Sequence, residues 1–419
     1  MSFTTVQLPY GNRYLTFELP TSNLLGVLYP KFGSETRDED QLVREALKHP
    51  INAPRLCDLA HRGQSVAIII SDLTRPCPSP RLLPHILNEL GSAGIKDEDI
   101  LIVVALGIHR RMSKDELVSA VGPRITDRIR VVNHDPADTV RQGFTSAGTP
   151  VEIFRPLTEV DLKICIGNVE FHYFVGFSGG YKAILPGCAS QATITANHAM
   201  MFHPQATTGR IEGNPVRSDL EEGAAMLGVD FILNVVLDPN HRIVEAVAGD
   251  AIAAHRRGCE WIKQYGMIPI PKRADIVLAS VGGYPNDINL YQAHKGLDNA
   301  RYFAREGGVI ALVAECREGF GNSIFESWMM EGVSPKKLIA RIQQEFVIGG
   351  HKAAALASIL ESTKVYLLSN LSPEVVRRCG MVPIMSPGEM IETVLREFGS
   401  GANMLVLPQA CSIQPIISN

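Results

Sequence analysis

Three short, uninterrupted apolar runs constrain what this chain can fold into. Val66–Ile70 stops at Ser71-Asp72-Leu73-Thr74-Arg75-Pro76, Ile100–Ala105 at Leu106-Gly107-Ile108-His109-Arg110, and Leu162–Ile166 at Gly167-Asn168-Val169-Glu170-Phe171-His172. Runs of this length, rich in Ile and Val and bounded by Gly or Pro, have the pattern of strands buried on both faces. Helical stretches such as Pro80–Ala93 and Ser113–Val121 lie between them. Strand–helix alternation implies a mostly parallel sheet covered by helices. Ligands of such sheets bind beyond the carboxyl ends of the strands, and Asp72, Arg75, His109 and His172 all fall there.

At 419 residues the chain exceeds one ordinary hydrophobic core and suits two domains. A second strand–helix series follows the proline-punctuated stretch Met267-Ile268-Pro269-Ile270-Pro271. Its strands are expected at Ile276–Ala279, Val309–Val313 and Val365–Leu368, and its helices near Gln292–Arg305, Pro335–Glu345 and Ala353–Glu361. The expected organisation is therefore two α/β domains with mostly parallel sheets, residues 1–270 and 271–419. The first contains an opening hairpin (Thr4–Pro9 and Tyr14–Leu19 around Tyr10–Arg13) and a helix over Glu35–His49. The last residues, from Asn403 onward, are expected to return to the first domain.

Composition removes several classes of function. A formal net charge of -4, with no Lys/Arg block, leaves no footprint for nucleic acid. No apolar run approaches the roughly 20 residues of a membrane helix, and the first residues lack the pattern of a signal peptide. The eight cysteines form no C-x-x-C pair, and several lie inside apolar runs, as expected for buried free thiols in a reducing compartment. The expected location is the cytoplasm.

The densest chemistry lies in Glu170–Gly187, where Ser178-Gly179-Gly180 precedes Tyr181-Lys182. Clustered glycines let backbone approach a ligand closely, and successive amides can form an anion site. A nucleotide-triphosphate loop is excluded because Ala183 follows the lysine where Ser or Thr is required. Alone, the segment is more readily read as a turn-rich loop with an exposed lysine. A lysine desolvated by its apolar neighbours is instead a nucleophile or covalent tether. His198 and His203 are five apart and do not share a helix face, so a two-histidine zinc site is weak, while His198 alone is either a metal ligand or a core histidine. Arg75 offers a planar fork for carboxylate or phosphate, or else pairs with Asp72 to close the strand end. His109 suits proton transfer, or is a solvated loop residue beside Arg110 and Arg111. Gln292 and Lys295, three apart after Gly282–Asn289, share a helix face that is either solvated or turned toward a polar ligand.

Taken in order, these segments resemble the nickel-pincer lactate racemase family. The resemblance rests on Asp72-Leu-Thr-Arg-Pro76, Gly107-Ile-His-Arg110, Glu170-Phe-His172, Phe177–Gly187 with Lys182, Asn197-His198, Glu212-Gly-Asn-Pro215, and Gly282–Asp287 through Gln292 and Lys295. It spans most of the chain. It implies a racemase or epimerase that inverts C2 of a 2-hydroxyacid by reversible hydride transfer to a nickel-pincer nucleotide. In that family the cofactor is the nickel complex of a pyridinium-3,5-bisthiocarboxylic acid mononucleotide, made by dedicated cofactor-synthesis proteins. Lys182 would be its covalent attachment point and His198 the protein ligand to nickel. His109 and His172 would be alternating acid and base on opposite faces of the substrate. Arg75 and Lys295, with Gln292, would hold the substrate carboxylate. Asp72 and Thr74 would organise the cofactor pocket, with the Ser178, Gly179 and Gly180 amides contacting the cofactor. The resemblance also implies an interdomain active-site cleft with a hinge near residue 270. Tyr181 departs from the family, where many members place a basic residue, which bears on phosphate contacts or substrate preference. Two other readings compete: a zinc hydrolase using His109, His172 and His198, and a non-catalytic carrier of the cofactor.

Overall fold

The computed structural model describes residues 2–31, 37–399 and 401–417. Glu35 and Thr36, the expected start of the first helix, lie outside the described residues. The helix spans Glu39–Lys48, capped by the Asp38 side chain on the amides of Asp40 and Gln41.

The chain divides into two compact units, one of Phe32–Gln264 and one of Met1–Lys31 with Tyr265–Asn419. It opens in the second of these. Strands β1 (Phe3–Tyr10) and β2 (Arg13–Pro20) form the expected antiparallel hairpin, and β3 (Leu24–Val27) follows. The hairpin was expected in the first domain, and its position in the other unit corrects that boundary. The cause is its apolar face. Val6, Leu8, Tyr10, Phe17 and Leu19 alternate with exposed residues and pack on Ile276, Leu278, Val309 and Val313. The turn is fastened there too, with the Gly11 amide donating to Asp287 Oδ2 at 2.6 Å and Ser280 Oγ to the Pro9 carbonyl at 2.6 Å.

The Phe32–Gln264 unit contains β4 (Val66–Ser71), β5 (Ile100–Ala105), β6 (Arg130–Asn133), β7 (Thr139–Phe144), β8 (Pro150–Phe154), β9 (Leu162–Asn168), β10 (Phe171–His172), β11 (Gly176–Phe177), β12 (Phe231–Leu237) and β13 (Ile243–Gly249). Six of them form one sheet in the order β13-β12-β9-β4-β5-β6. All its pairings are parallel except β12 with β13. Val66, Ala67, Ile68, Ile69 and Ile70 have no exposed surface, as strands covered on both sides require. The Ser79–Ser92 helix covers one face with Leu82, Leu83, Ile86 and Leu90. The chain runs from β4 to β5 and β6 on one side, then returns to β9 on the other. That reversal opens a crevice beyond the carboxyl ends of β4 and β9, where sheets of this kind hold their ligands.

The remaining strands are β14 (Met267–Ile270), β15 (Ala274–Ser280), β16 (Ala304–Val313), β17 (Lys364–Leu368), β18 (Val382–Ile384), β19 (Met404–Leu407) and β20 (Gln414–Ile417). The second sheet has the order β18-β17-β16-β15-β19-β3 and is parallel throughout. Two expectations change here. The proline-rich stretch near 270 is not a bare linker, because β14 pairs with β20. The last residues do not return to the first domain, because β19 lies between β15 and β3. Both sheets are the expected mostly parallel kind.

Candidate active site

The turn after β4 and the turn after β5 meet directly. His109 Nδ1 lies 2.5 Å from Asp72 Oδ2. The other carboxylate oxygen, Asp72 Oδ1, accepts from the Thr74 amide at 2.9 Å and from Thr74 Oγ1 at 2.6 Å. Asp72 is buried and His109 is exposed. Burial works against the Asp72 charge. The His109 hydrogen bond, the Arg75 charge and the Thr74 hydroxyl outweigh it and hold the carboxyl below its usual range. Asp72 and Thr74 were expected in a cofactor pocket, but both carboxylate oxygens are taken up by His109 and Thr74. An ionised Asp72 accepts only, so a neutral His109 carries its proton on Nδ1 and presents a bare Nε2. Arg75 closes the same turn, its amide donating to the Asp72 carbonyl at 3.2 Å.

Beyond β9, the short β10–β11 ribbon presents His172. The Val175 amide donates to His172 Nδ1 at 3.4 Å, so a neutral ring bears its proton on Nε2. His172 stands edge-on to the Phe174 ring, with centroids 4.7 Å apart. His198 meets that same ring from the last turn of the Gln191–Ala199 helix, at 5.0 Å. Phe174 thus brings two predicted site residues together across one aromatic ring, and the sequence reading did not single it out.

Lys182 lies half-buried in the 3-10 turn Gly180–Ala183. The glycines before it are required by shape. Gly179 and Gly180 have φ of 78° and 59°, and a Cβ on Gly180 would sit 2.9 Å from the His255 ring. The amides expected for a cofactor are partly spent within the protein. Ser178 N–H donates to the Glu170 carbonyl at 2.9 Å, and Gly180 N–H to Asn234 Oδ1 at 2.7 Å. The Ser178 hydroxyl donates to the Asn168 carbonyl at 2.8 Å and accepts from the Glu170 amide at 2.9 Å. His255 Nε2 lies 2.8 Å from the Ser178 carbonyl. Burial, with Arg217 beside it, pushes the His255 pKa well down, so the ring is neutral and donates this bond.

Gln292 and Lys295 belong to the other compact unit. Gln292 stands in the first turn of the Leu290–Ala300 helix, whose cap Asn289 accepts from its amide at 3.0 Å, and Lys295 stands mid-helix. Among the described residues, no group of three or more His, Cys, Asp and Glu is placed to hold a metal. The alternative of a zinc site made by His109, His172 and His198 is therefore not assembled, and His109 is instead engaged by Asp72.

This geometry has relatives. The chain is 36% identical to the lactate racemase of Thermoanaerobacterium thermosaccharolyticum, over 97% of its own length and 98% of that protein. The chain belongs to the lactate racemase family. It is also 33% identical to the lactate racemase of Lactiplantibacillus plantarum, over 97% of this chain and 99% of the other. The family models for the lactate racemase N-terminal and C-terminal domains match residues 10–209 and 270–414. The solved apoprotein of the Thermoanaerobacterium lactate racemase superposes with a TM-score of 0.91 at 35% identity, covering 99% of this chain and 100% of that one. A Thermotoga maritima protein shares the fold at 19% identity, with a TM-score of 0.68, covering 90% of this chain and 98% of that one. Membership of the lactate racemase family makes the chain an isomerase, a racemase.

Proposed function

We propose that the chain inverts C2 of a small 2-hydroxyacid, with His109 and His172 as alternating base and acid and Lys182 as the covalent anchor of a nickel-pincer nucleotide. The Asp72–His109 pair, 2.5 Å long at the carboxyl end of the sheet, carries this reading. Asp72 fixes the His109 tautomer and stabilises the imidazolium that forms when Nε2 takes a proton. His172 has the opposite resting tautomer, with Nδ1 accepting and Nε2 protonated. His109 Nε2 is thus ready to take the hydroxyl proton, while His172 returns one from its imidazolium form, with Nδ1 also protonated, and the reverse reaction exchanges their roles. When bound, the cofactor supplies a reversible hydride acceptor. Arg75 binds the substrate carboxylate, for which a planar guanidinium is suited.

The donor set suits such a cofactor. Among the described residues no group of three His, Cys, Asp or Glu could hold a metal, so His198 would act as one ligand to a metal whose other donors the cofactor would supply. Eight free thiols, five of them buried, agree with a cytoplasmic setting, and no helix among the described residues is long and apolar enough to cross a membrane.

Intact mass and nickel content of protein made alongside the cofactor-synthesis proteins test this reading. One adduct and one nickel per chain are expected, and Lys182→Ala is expected to abolish the adduct. Wild-type protein without an adduct would sink the proposal. A panel of lactate, malate and sugar-acid enantiomers, followed by chiral analysis, then assigns the substrate.

A further inference from the structure

The Pro215–Leu227 helix reaches in two directions at once. On one side, its cap Asn214 donates from Nδ2 to the Phe174 carbonyl at 2.9 Å. Arg217 donates from Nε to the Val175 carbonyl at 3.3 Å and from Nη2 to the Phe177 carbonyl. These carbonyls belong to the ribbon that presents His172 and leads to Lys182. On the other side, Asp219 accepts from Asn197 Nδ2 at 2.8 Å, and Asn197 immediately precedes His198. The Asn197 amide also donates to the Val216 carbonyl of the same helix at 3.1 Å. Residues two apart on a helix point about 200° apart, so Arg217 and Asp219 address opposite walls.

Both charges are buried, Arg217 at 1% exposure and Asp219 at 2%. Burial brings the Arg217 pKa down to about 10. Glu221 lies 3.4 Å from Arg217 and also takes a bidentate pair from Arg256, at 2.8 and 2.7 Å. Asp219 is held by neutral donors, Asn197 together with Thr145 Oγ1 at 2.5 Å and Thr149 Oγ1 at 3.0 Å from the β7–β8 turn. Buried ions add little stability over well-packed apolar side chains, so stability is a weak account of this arrangement. Fixing two walls against one another is a stronger one. The walls meet at Phe174, whose ring touches both His172 and His198.

We propose that this helix sets the spacing between the His172–Lys182 loop and His198, with Arg217 and Asp219 as positioning residues for His172 and His198. The inference rests on the roles proposed above for those histidines and for Lys182. Outer-shell partners of this kind typically change activity or metal affinity by about 10- to 100-fold.

The test uses cofactor-loaded protein, with folding checked by circular dichroism. Asp219→Ala and Arg217→Met are expected to lower kcat by roughly 10- to 100-fold with KM within about threefold. Asp219→Ala is also expected to speed nickel loss to a chelator and shift the visible spectrum. Arg217→Met is expected to leave the spectrum near wild type, because it acts on the His172 side. Asp219→Asn keeps an acceptor for Asn197 and Arg217→Lys keeps the charge, so both are expected to recover part of the loss. Wild-type kcat and spectrum in Asp219→Asn and Arg217→Lys, together with no loss in whichever of the drastic variants folds, would overturn the proposal. An adduct on the wild type with full turnover in the variants overturns only the helix's role, whereas no adduct on the wild type overturns both this inference and the reading beneath it.

Discussion

Asp72 gives up nearly all contact with water to hold the ring of His109, whose side chain is 40% exposed. The buried partner dictates the state of the accessible one. Asp72→Ala leaves His109 free to take either tautomer and removes the stabilising charge, so kcat is expected to fall by about 10²- to 10⁴-fold with little change in KM. Initial racemisation rates check this, and an unchanged kcat would remove Asp72 from the proton-transfer machinery. The pair also has a pH signature. The folded-state pKa of Asp72 lies below its unfolded value, because the His109 bond and the Arg75 charge outweigh burial. Its contribution to stability is therefore complete above about pH 4 and is lost as pH falls through the lower folded value. The difference in Tm between wild type and Asp72→Asn should shrink as pH falls below about 4. A gap that persists undiminished to pH 3 would contradict this. The sequence placed both residues at strand ends but not against one another. A pairing across 37 positions depends on strand order, which no local pattern encodes. Arg217, Asp219 and His255 were illegible for a different reason. A charged residue in an amphipathic helix has the same local pattern whether it faces water or a buried carbonyl.

The Gly179-Gly180 turn shows how one element sets the position of another. Both residues have left-handed φ, and the His255 ring occupies the space that a Gly180 side chain would need. Gly180→Ala is expected to destabilise by about 1–3 kcal/mol through backbone strain alone. It should also reduce adduct formation at Lys182, two residues on. Urea unfolding and intact mass report the two effects separately, and wild-type values for both would show that the turn tolerates a side chain. Strands were the most legible elements, since a run such as Ile100–Ala105 with apolar residues on both faces fits little else of that length. The proline stretch near 270 was misread. Proline ordinarily punctuates, yet β14 and β20 form a two-stranded sheet in which each strand is an edge. An edge accepts a proline such as the exposed Pro269, where no ladder N–H is needed.

At the scale of the whole chain, the hairpin Phe3–Pro20 belongs with strands made much later. Removing residues 1–31 would strip Val6, Leu8, Phe17 and Leu19 from the face formed by Ile276, Leu278 and Val309, and would leave β19 without its outer neighbour. Such a truncation is expected to aggregate or lose one cooperative transition while the Phe32–Gln264 unit still melts as a unit. A single unchanged transition by calorimetry would refute this. The same arrangement orders events on the ribosome. Every strand of the middle sheet has been synthesised once Gly249 is made, but β3 has no partner until Met404–Leu407 emerges. Domains fold as units during synthesis, so the hairpin stays unclaimed until β15 and β16 emerge, and β3 until β19 does. In nascent chains stalled near residue 300, protease should spare the middle unit and cut within the first thirty residues. For this racemase, the second sheet closes only after Met404–Leu407 has left the ribosome to take β3 as its neighbour.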